Sequence, residues 1–271
     1  MKKIWTCSAG VLMTLTLAQL PAFAGDDDEG NTIGTRYSLE ADRKMSRGFH
    51  LFAGEEMRLK DGFSSVDRFH TTAGASFKIN DFLKAGGMYT LITVRKDDDL
   101  GEKFWDWRHR GSFDVTGTWK PGLWRLSLRE RFQATFKTRD VNEYQQPQTA
   151  LALRSRLKVS RKFPGSKLEP YAACELRLVL NGPKWDANST DAVQYAVSEY
   201  SGHSDVYSDR LRSRVGLEWS LGKHHSLDFY CIYDRFKDKN IDSRKEPVLK
   251  MPVTTSHASY LAFCAGWRFE F

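Results

Sequence analysis

Residues 105–120 read Trp105-Asp106-Trp107-Arg108-His109-Arg110-Gly111-Ser112-Phe113-Asp114-Val115-Thr116-Gly117-Thr118-Trp119-Lys120. Trp105, Trp107, His109, Gly111, Phe113, Val115, Gly117 and Trp119 fall on one face of an extended chain, and the charged or hydroxylated residues between them fall on the other. A helix places apolar residues three and four apart, so alternation sustained over sixteen positions excludes it and specifies a strand. The next segment repeats the pattern, with Trp124, Leu126, Leu128, Phe132, Ala134 and Phe136 against Arg125, Ser127, Arg129, Arg131, Gln133, Thr135 and Lys137. Pro121-Gly122 between them is a tight-turn sequence, so the two segments form an antiparallel pair with one apolar and one wet face.

Working outward, similar segments lie near 32–41, 49–60, 69–79, 83–95, 151–163, 168–180, 207–221, 227–235 and 257–271. Each reaches the ~9–11 residues that a tilted membrane-crossing strand needs. Short connections (Asn80-Asp81, Pro121-Gly122, Pro164 to Lys167, Gly222 to His225) alternate with longer ones (Lys96 to Phe104, Thr138 to Thr149, Asn181 to Val206, Phe236 to Ser256). That alternation is the habit of periplasmic turns and extracellular loops. The expected fold is all-β, an antiparallel transmembrane outer-membrane barrel of about 10–12 strands over residues 32–271. Eleven segments are visible, whereas an ordinary single-chain bacterial barrel has an even number. Turn parity starts the 32–41 strand on the outer side, so either it leaves the wall incomplete or the leader first crosses the lumen. A strand hidden in 181–206 would break the parity.

The chain ends fit this reading. Lys2 and Lys3, the apolar stretch Val11 to Leu20, and Ala22-Phe23-Ala24 have the order of a secretory signal peptide over residues 1–24. The apolar stretch is too short to span a bilayer, and an acidic leader (25–31) follows. Phe271 closes an alternating strand, as the assembly signal of outer-membrane barrels does. Trp119, Trp124, Phe163, Trp219, Trp267 and Phe269 collect near the short-turn boundary, and Trp105, Trp107, Phe136 and Tyr207 near the other. Two aromatic girdles are the mark of interfacial anchoring.

Composition agrees. Mean hydropathy is −0.52 although aromatics make up 13%, a pairing explained when one face of each strand meets lipid and the other meets water or charge. The formal net charge of +7 falls to +5 without Lys2 and Lys3, and no run of five like charges suggests a nucleic-acid tail. Cys174, Cys231 and Cys264 remain after cleavage, an odd number at no metal or disulfide spacing. By parity Cys174 and Cys231 face lipid and Cys264 faces inward. No metal site and no cofactor are expected. The expected partners are outer-membrane lipid, lipopolysaccharide and, through the last strand, the assembly machinery; the expected location is the bacterial outer membrane.

The inward face is densely charged. Arg108 and Arg110, Arg129 and Arg131, Arg154 and Arg156, then Arg210, Arg212 and Arg214 repeat two apart on one side of their strands, with Asp106, Asp114, Glu169, Glu175, Glu218 and Asp228 among them. Arginine's planar fork suits carboxylate pairing. One reading is a small barrel filled by such pairs; the other, from the basic excess, is a narrow anion-preferring pore or a site for an acidic ligand.

Several runs resemble a known family: Phe104-Trp105-Asp106-Trp107-Arg108-His109-Arg110, Leu128-Arg129-Glu130-Arg131-Phe132, Leu151-Ala152-Leu153-Arg154-Ser155-Arg156-Leu157, Arg210 through Glu218, Gly222-Lys223-His224-His225-Ser226-Leu227 and Gly266-Trp267-Arg268-Phe269-Glu270-Phe271. They resemble the domain of unknown function 2490 barrels. The resemblance implies an outer-membrane barrel with no assigned activity, and it carries over no catalytic residue.

An enzymatic alternative rests on His257-Ala258-Ser259, since residues two apart on a strand project side by side and outer-membrane lipid hydrolases or deacylases can use such a His-x-Ser pair. A triad needs an orienting acid or amide as well. Asp234 and Asp238 fall on the opposite face by parity; Glu29 or Asn31 approaches only if the first strand seals the barrel. Neither a GxSxG elbow nor a phosphate loop is present. The expected role is therefore non-catalytic.

Overall fold

In the computed structural model, residues 31–45, 48–60, 63–97, 103–139, 141, 146–188, 197–241 and 253–271 are described. The expected signal peptide (1–24) and all of the expected acidic leader except Asn31 lie outside them. Among the described residues thirteen strands follow one another: β1 (Asn31–Lys44), β2 (Phe49–Lys60), β3 (Ser65–Lys78), β4 (Leu83–Asp97), β5 (Lys103–Trp119), β6 (Trp124–Lys137), β7 (Thr149–Arg161), β8 (Leu168–Gly182), β9 (Trp185–Asn188), β10 (Val197–Tyr200), β11 (Asp205–Ser220), β12 (His225–Ile241) and β13 (Val253–Glu270). Eleven of them close a single barrel, β9 and β10 forming a separate hairpin in the β8–β11 connection. The 181–206 segment therefore contributes two short strands, but neither enters the wall.

Closing an odd ring has a geometric consequence. Neighbours that alternate in direction cannot close on an odd count, so one interface must be parallel. It is the β1–β13 seam, in register from Asn31↔Ser259 to Asp42↔Glu270, while every other wall interface is antiparallel. The expectation of a purely antiparallel wall is corrected at this seam, and β1 does complete the wall. β1 begins at the end of the barrel where β13 also begins, the end of the longer connections.

The short turns show local chemistry. Gly122 sits at φ 61, a left-handed conformation that other residues adopt at a cost, and the Trp124 amide closes the turn onto the Pro121 carbonyl at 3.1 Å. At the β3–β4 turn Asn80 Oδ1 accepts from the amides of Phe82 and Leu83 at 2.9 and 2.8 Å, an Asx-type turn. Lys78 donates to Asp81 there at 2.6 Å, and that hydrogen bond and the ammonium's charge hold the Asp81 carboxyl below its usual range.

Burial is the inverse of a water-soluble protein. Phe113, Trp119, Leu128, Phe132, Leu157, Phe229, Phe263 and Trp267 are exposed on the outer surface, whereas Arg36, Asp106, Glu175, Arg212 and Asp234 are buried inside. Trp119, Phe163, Trp219 and Trp267 ring the short-turn end, where Arg161 lies 5.2 Å from the Trp124 ring and 4.9 Å from that of Phe163. Trp105, Trp107 and Phe136 ring the other end. Cys174 and Cys231 are exposed and Cys264 is buried, as strand parity dictates. Apolar packing inside is confined to small groups, chiefly Ile232, Ala262 and Cys264 with Tyr230 and Tyr260 against them.

Candidate functional site: the charged lumen

Each inward charge is placed by strand parity, and register then decides which charges meet. Glu175 on β8 is opposite Arg156 on β7 and Arg212 on β11. Its carboxylate accepts from Arg154 through both Nε and Nη2, the former at 3.0 Å, and from Arg129 Nη2 at 3.1 Å. Arg210 stands 3.9 Å away. One nearly buried acid thus gathers arginines from β6, β7 and β11.

Asp234 on β12 is the second centre and is fully buried. Arg212 meets it as a fork, Nε at 2.6 Å and Nη2 at 2.5 Å, the bidentate geometry that makes arginine–carboxylate pairs strong. Arg36 on β1 approaches the same carboxylate at 3.6 Å. This centre reaches past β13, linking the two sides of the parallel seam.

Smaller pairs fill the rest of the ring. Arg131 holds Asp114 at 3.1 and 2.5 Å. Arg58 holds Glu56 at 2.7 Å, with His70 3.9 Å from the same carboxylate. Asp106 lies between Lys96 at 3.1 Å and Arg108 at 3.3 Å. Arg177 grips Asp209 at 2.8 and 2.9 Å. Toward the short-turn end Glu218 accepts from Lys158, and Tyr171 donates to Asp228 at 2.9 Å. Gly216 makes room here: an added Cβ would lie 2.6 Å from Tyr230 Cβ and 2.7 Å from the Tyr171 ring.

The pairing is not complete. Arg110 donates to Thr135 at 2.9 Å, and among the described residues no carboxylate joins it. Arg214 lies 4.3 Å from the centre of the Tyr230 ring. The Nε groups of Arg129, Arg156 and Arg210 are buried with no hydrogen-bond partner among the described residues. Buried donors without acceptors are costly, and these three are left unsatisfied by the side chains around them.

The structure thus brings together Arg129, Arg154, Arg210 and Glu175, with Arg156 and Arg212 beside them, and separates them from Arg108, Arg131 and Glu218, which sit in their own pairs. Sequence reasoning placed Asp234 on the inward face but did not count it, or Arg36, Glu56 and Asp209, among the lumen charges. Asp234 and Glu56 carry a readable signal, since parity turns both inward. Asp209 does not: a register irregularity between Ser208 and Arg210 turns an odd-numbered residue toward the lumen.

His257 and Ser259 lie on the outward face of β13, opposite Lys237 and Arg235. Asp234 points inward and is held by Arg212. Sealing of the barrel does bring Asn31 into register with Ser259. Among the described residues no three His, Cys, Asp or Glu side chains group as a metal site.

Alternation also breaks on the outer surface. Glu130 lies across from Val115 and Ser155 on the outward face of β6, exposed, and accepts from Ser155 Oγ at 2.5 Å. Glu55 occupies an outward position on β2, opposite Thr71.

No curated protein matches the chain. The family described as protein of unknown function (DUF2490) matches residues 34–245, most of the barrel wall, and the chain belongs to it.

Proposed function

We propose that this DUF2490 member is a bacterial outer-membrane barrel whose lumen is closed by its own side chains, a structural or binding barrel rather than a conduit. The single observation that carries the reading is the pair of buried acidic centres. Glu175 and Asp234 draw arginines from β1, β6, β7 and β11 into the middle of the barrel. Small barrels have interiors just wide enough for side chains to fill, and here long, paired arginines do the filling. The outer surface supports a membrane setting: apolar residues face outward between two aromatic rings, and burying charge inside is rational only if the outside is lipid. In this setting the short-turn end with Phe271 faces the periplasm, and the longer connections face the cell exterior.

A narrower second reading, an anion-preferring pore, is favoured by Arg110, whose Nε donates to the Thr135 hydroxyl, and by the Nε groups of Arg156 and Arg210, which are buried with no hydrogen-bond partner among the described residues. Planar bilayers separate the two. The closed reading expects no steady conductance steps from the wild type; steady anion-selective steps would replace it with the pore. Recovery of the mature chain as a soluble periplasmic protein, with no heat-dependent shift in gel mobility, would refute the membrane barrel itself.

A further inference from the structure

We infer that the arginine patch around Glu175 is a binding site for a divalent oxyanion of the phosphate type, held inside the lumen. The inference rests on the closed-lumen reading above and names what that lumen holds.

Register sets like charge against like charge here. Arg129 stands directly across from Arg156, Arg131 from Arg154, Arg154 from Arg177, and Arg177 from Arg210. Like charges directly opposite on one sheet face are destabilising, so this patch needs negative charge among its members. Arg131 has Asp114 and Arg177 has Asp209. The other four share one acid. Glu175 accepts from Arg154 and Arg129, lies 3.9 Å from Arg210, and faces Arg156 across the β7–β8 ladder. Elsewhere in the lumen an arginine meets an acid of its own, as Arg58 meets Glu56. A lumen filled only for stability accounts for such pairs and leaves this patch unexplained.

The four guanidiniums cannot relieve the repulsion by losing protons, as lysines could, because arginine stays charged in proteins. Buried charge without a counter-charge is costly, so the compensation has to come from outside the chain. The hydrogen bonding points the same way, since the Nε groups of Arg129, Arg156 and Arg210 are the buried donors left without an acceptor in this patch. Guanidinium forks match the oxygen pairs of phosphate and sulfate. Several surplus positive charges favour an ion with two negative charges over chloride. The side chains of Arg129 and Arg210 keep 13% and 10% of their exposure, and Arg156 is half-buried, which leaves the patch open to the lumen.

Equilibrium dialysis of radiolabelled inorganic phosphate against the folded barrel in neutral micelles tests this, in chloride buffer at constant ionic strength. Each variant is first checked for heat-dependent gel mobility. The wild type should bind phosphate saturably, with sulfate competing. Arg156→Gln should weaken binding by about tenfold or more. Without phosphate its thermal midpoint should be no lower than that of the wild type, because the charge removed has no acid of its own. A residue that merely filled the lumen would do the reverse, lowering the midpoint and sparing phosphate. Arg210→Gln should act in the same direction and serves if Arg156→Gln does not fold. Arg125→Gln, at a half-exposed arginine paired with Glu169 outside the patch, should leave binding unchanged. Competition by glycerol 3-phosphate would assign the site to a phosphoryl group on a larger molecule; competition by inorganic ions alone would assign it to the free ion. Absence of saturable binding to a folded, non-conducting barrel, or equal effects of Arg156→Gln and Arg125→Gln, would overturn the inference and leave the closed lumen standing. Steady anion-selective conductance would instead remove the closed lumen, and with it an ion that is held rather than passed.

Discussion

Replacing Glu175 by glutamine removes one negative charge from the lumen and almost no volume. The wild-type carboxylate takes three N–H bonds, two from Arg154 and one from Arg129, and stands 3.9 Å from Arg210. Hydrogen bonds to charged groups are each worth about 1.5–3 kcal/mol, but they share one acid and do not add. The larger effect is that buried arginines lose their counter-charge, and breaking a buried pair this way costs about 3–5 kcal/mol. Glutamine keeps an acceptor oxygen, so the lower end, about 3 kcal/mol, is expected. Glu218 is the internal control: its side chain is 33% exposed and its partner Lys158 24% exposed, so solvent screens the pair. Glu218→Gln should cost about 1 kcal/mol or less. Urea unfolding from phospholipid vesicles, followed by tryptophan emission, measures both. Adding Arg154→Gln to Glu175→Gln should recover part of the loss, because one uncompensated cation is removed as well. If Glu175→Gln is as mild as Glu218→Gln, the arginines are compensated by something other than Glu175 and the closed-lumen argument fails.

Gly216→Ala should destabilise the barrel by about 1–3 kcal/mol in the same unfolding assay, because the new methyl group meets Tyr230 and Tyr171 well inside contact distance. Phospholipid and lipopolysaccharide incubated with folded protein should release no acyl chains, and Ser259→Ala should be indistinguishable from wild type; release that vanishes in the variant would establish the enzyme. Deleting Phe271 should lower the amount of folded barrel in outer-membrane fractions, read by heat-dependent gel mobility, without changing synthesis. Unchanged yield would show that assembly does not read this residue.

The wall was legible because alternation is local. Trp105 through Trp119 declares both its faces without help from any neighbour, and the eleven wall strands follow from the same rule applied along the chain. The seam was not legible, since no pattern within β1 states that its partner is β13 or that the two run in the same direction. Among the lumen charges, parity announced Glu175 and its arginines, yet which arginine meets which acid depends on register across strands far apart in sequence. Asp209 escaped because an irregularity shifts the strand by one residue, which flips a side chain to the other face. Glu130 and Glu55 fall at outward positions by parity, but a strongly apolar face reads as apolar through one exception.

The parallel seam also constrains what could be done with the chain as a piece of engineering or of evolution. In an even barrel the first and last staves run in opposite directions, so their outer ends lie side by side and a few residues can join them. Here the first stave starts at one rim and the last finishes at the other. A circular permutant would need a connector running the height of the wall, about 25 Å, or seven or more extended residues. Growth by duplicating whole hairpins likewise cannot reach eleven; one half-hairpin is always left over, and in this protein it is the stave that locks the ring.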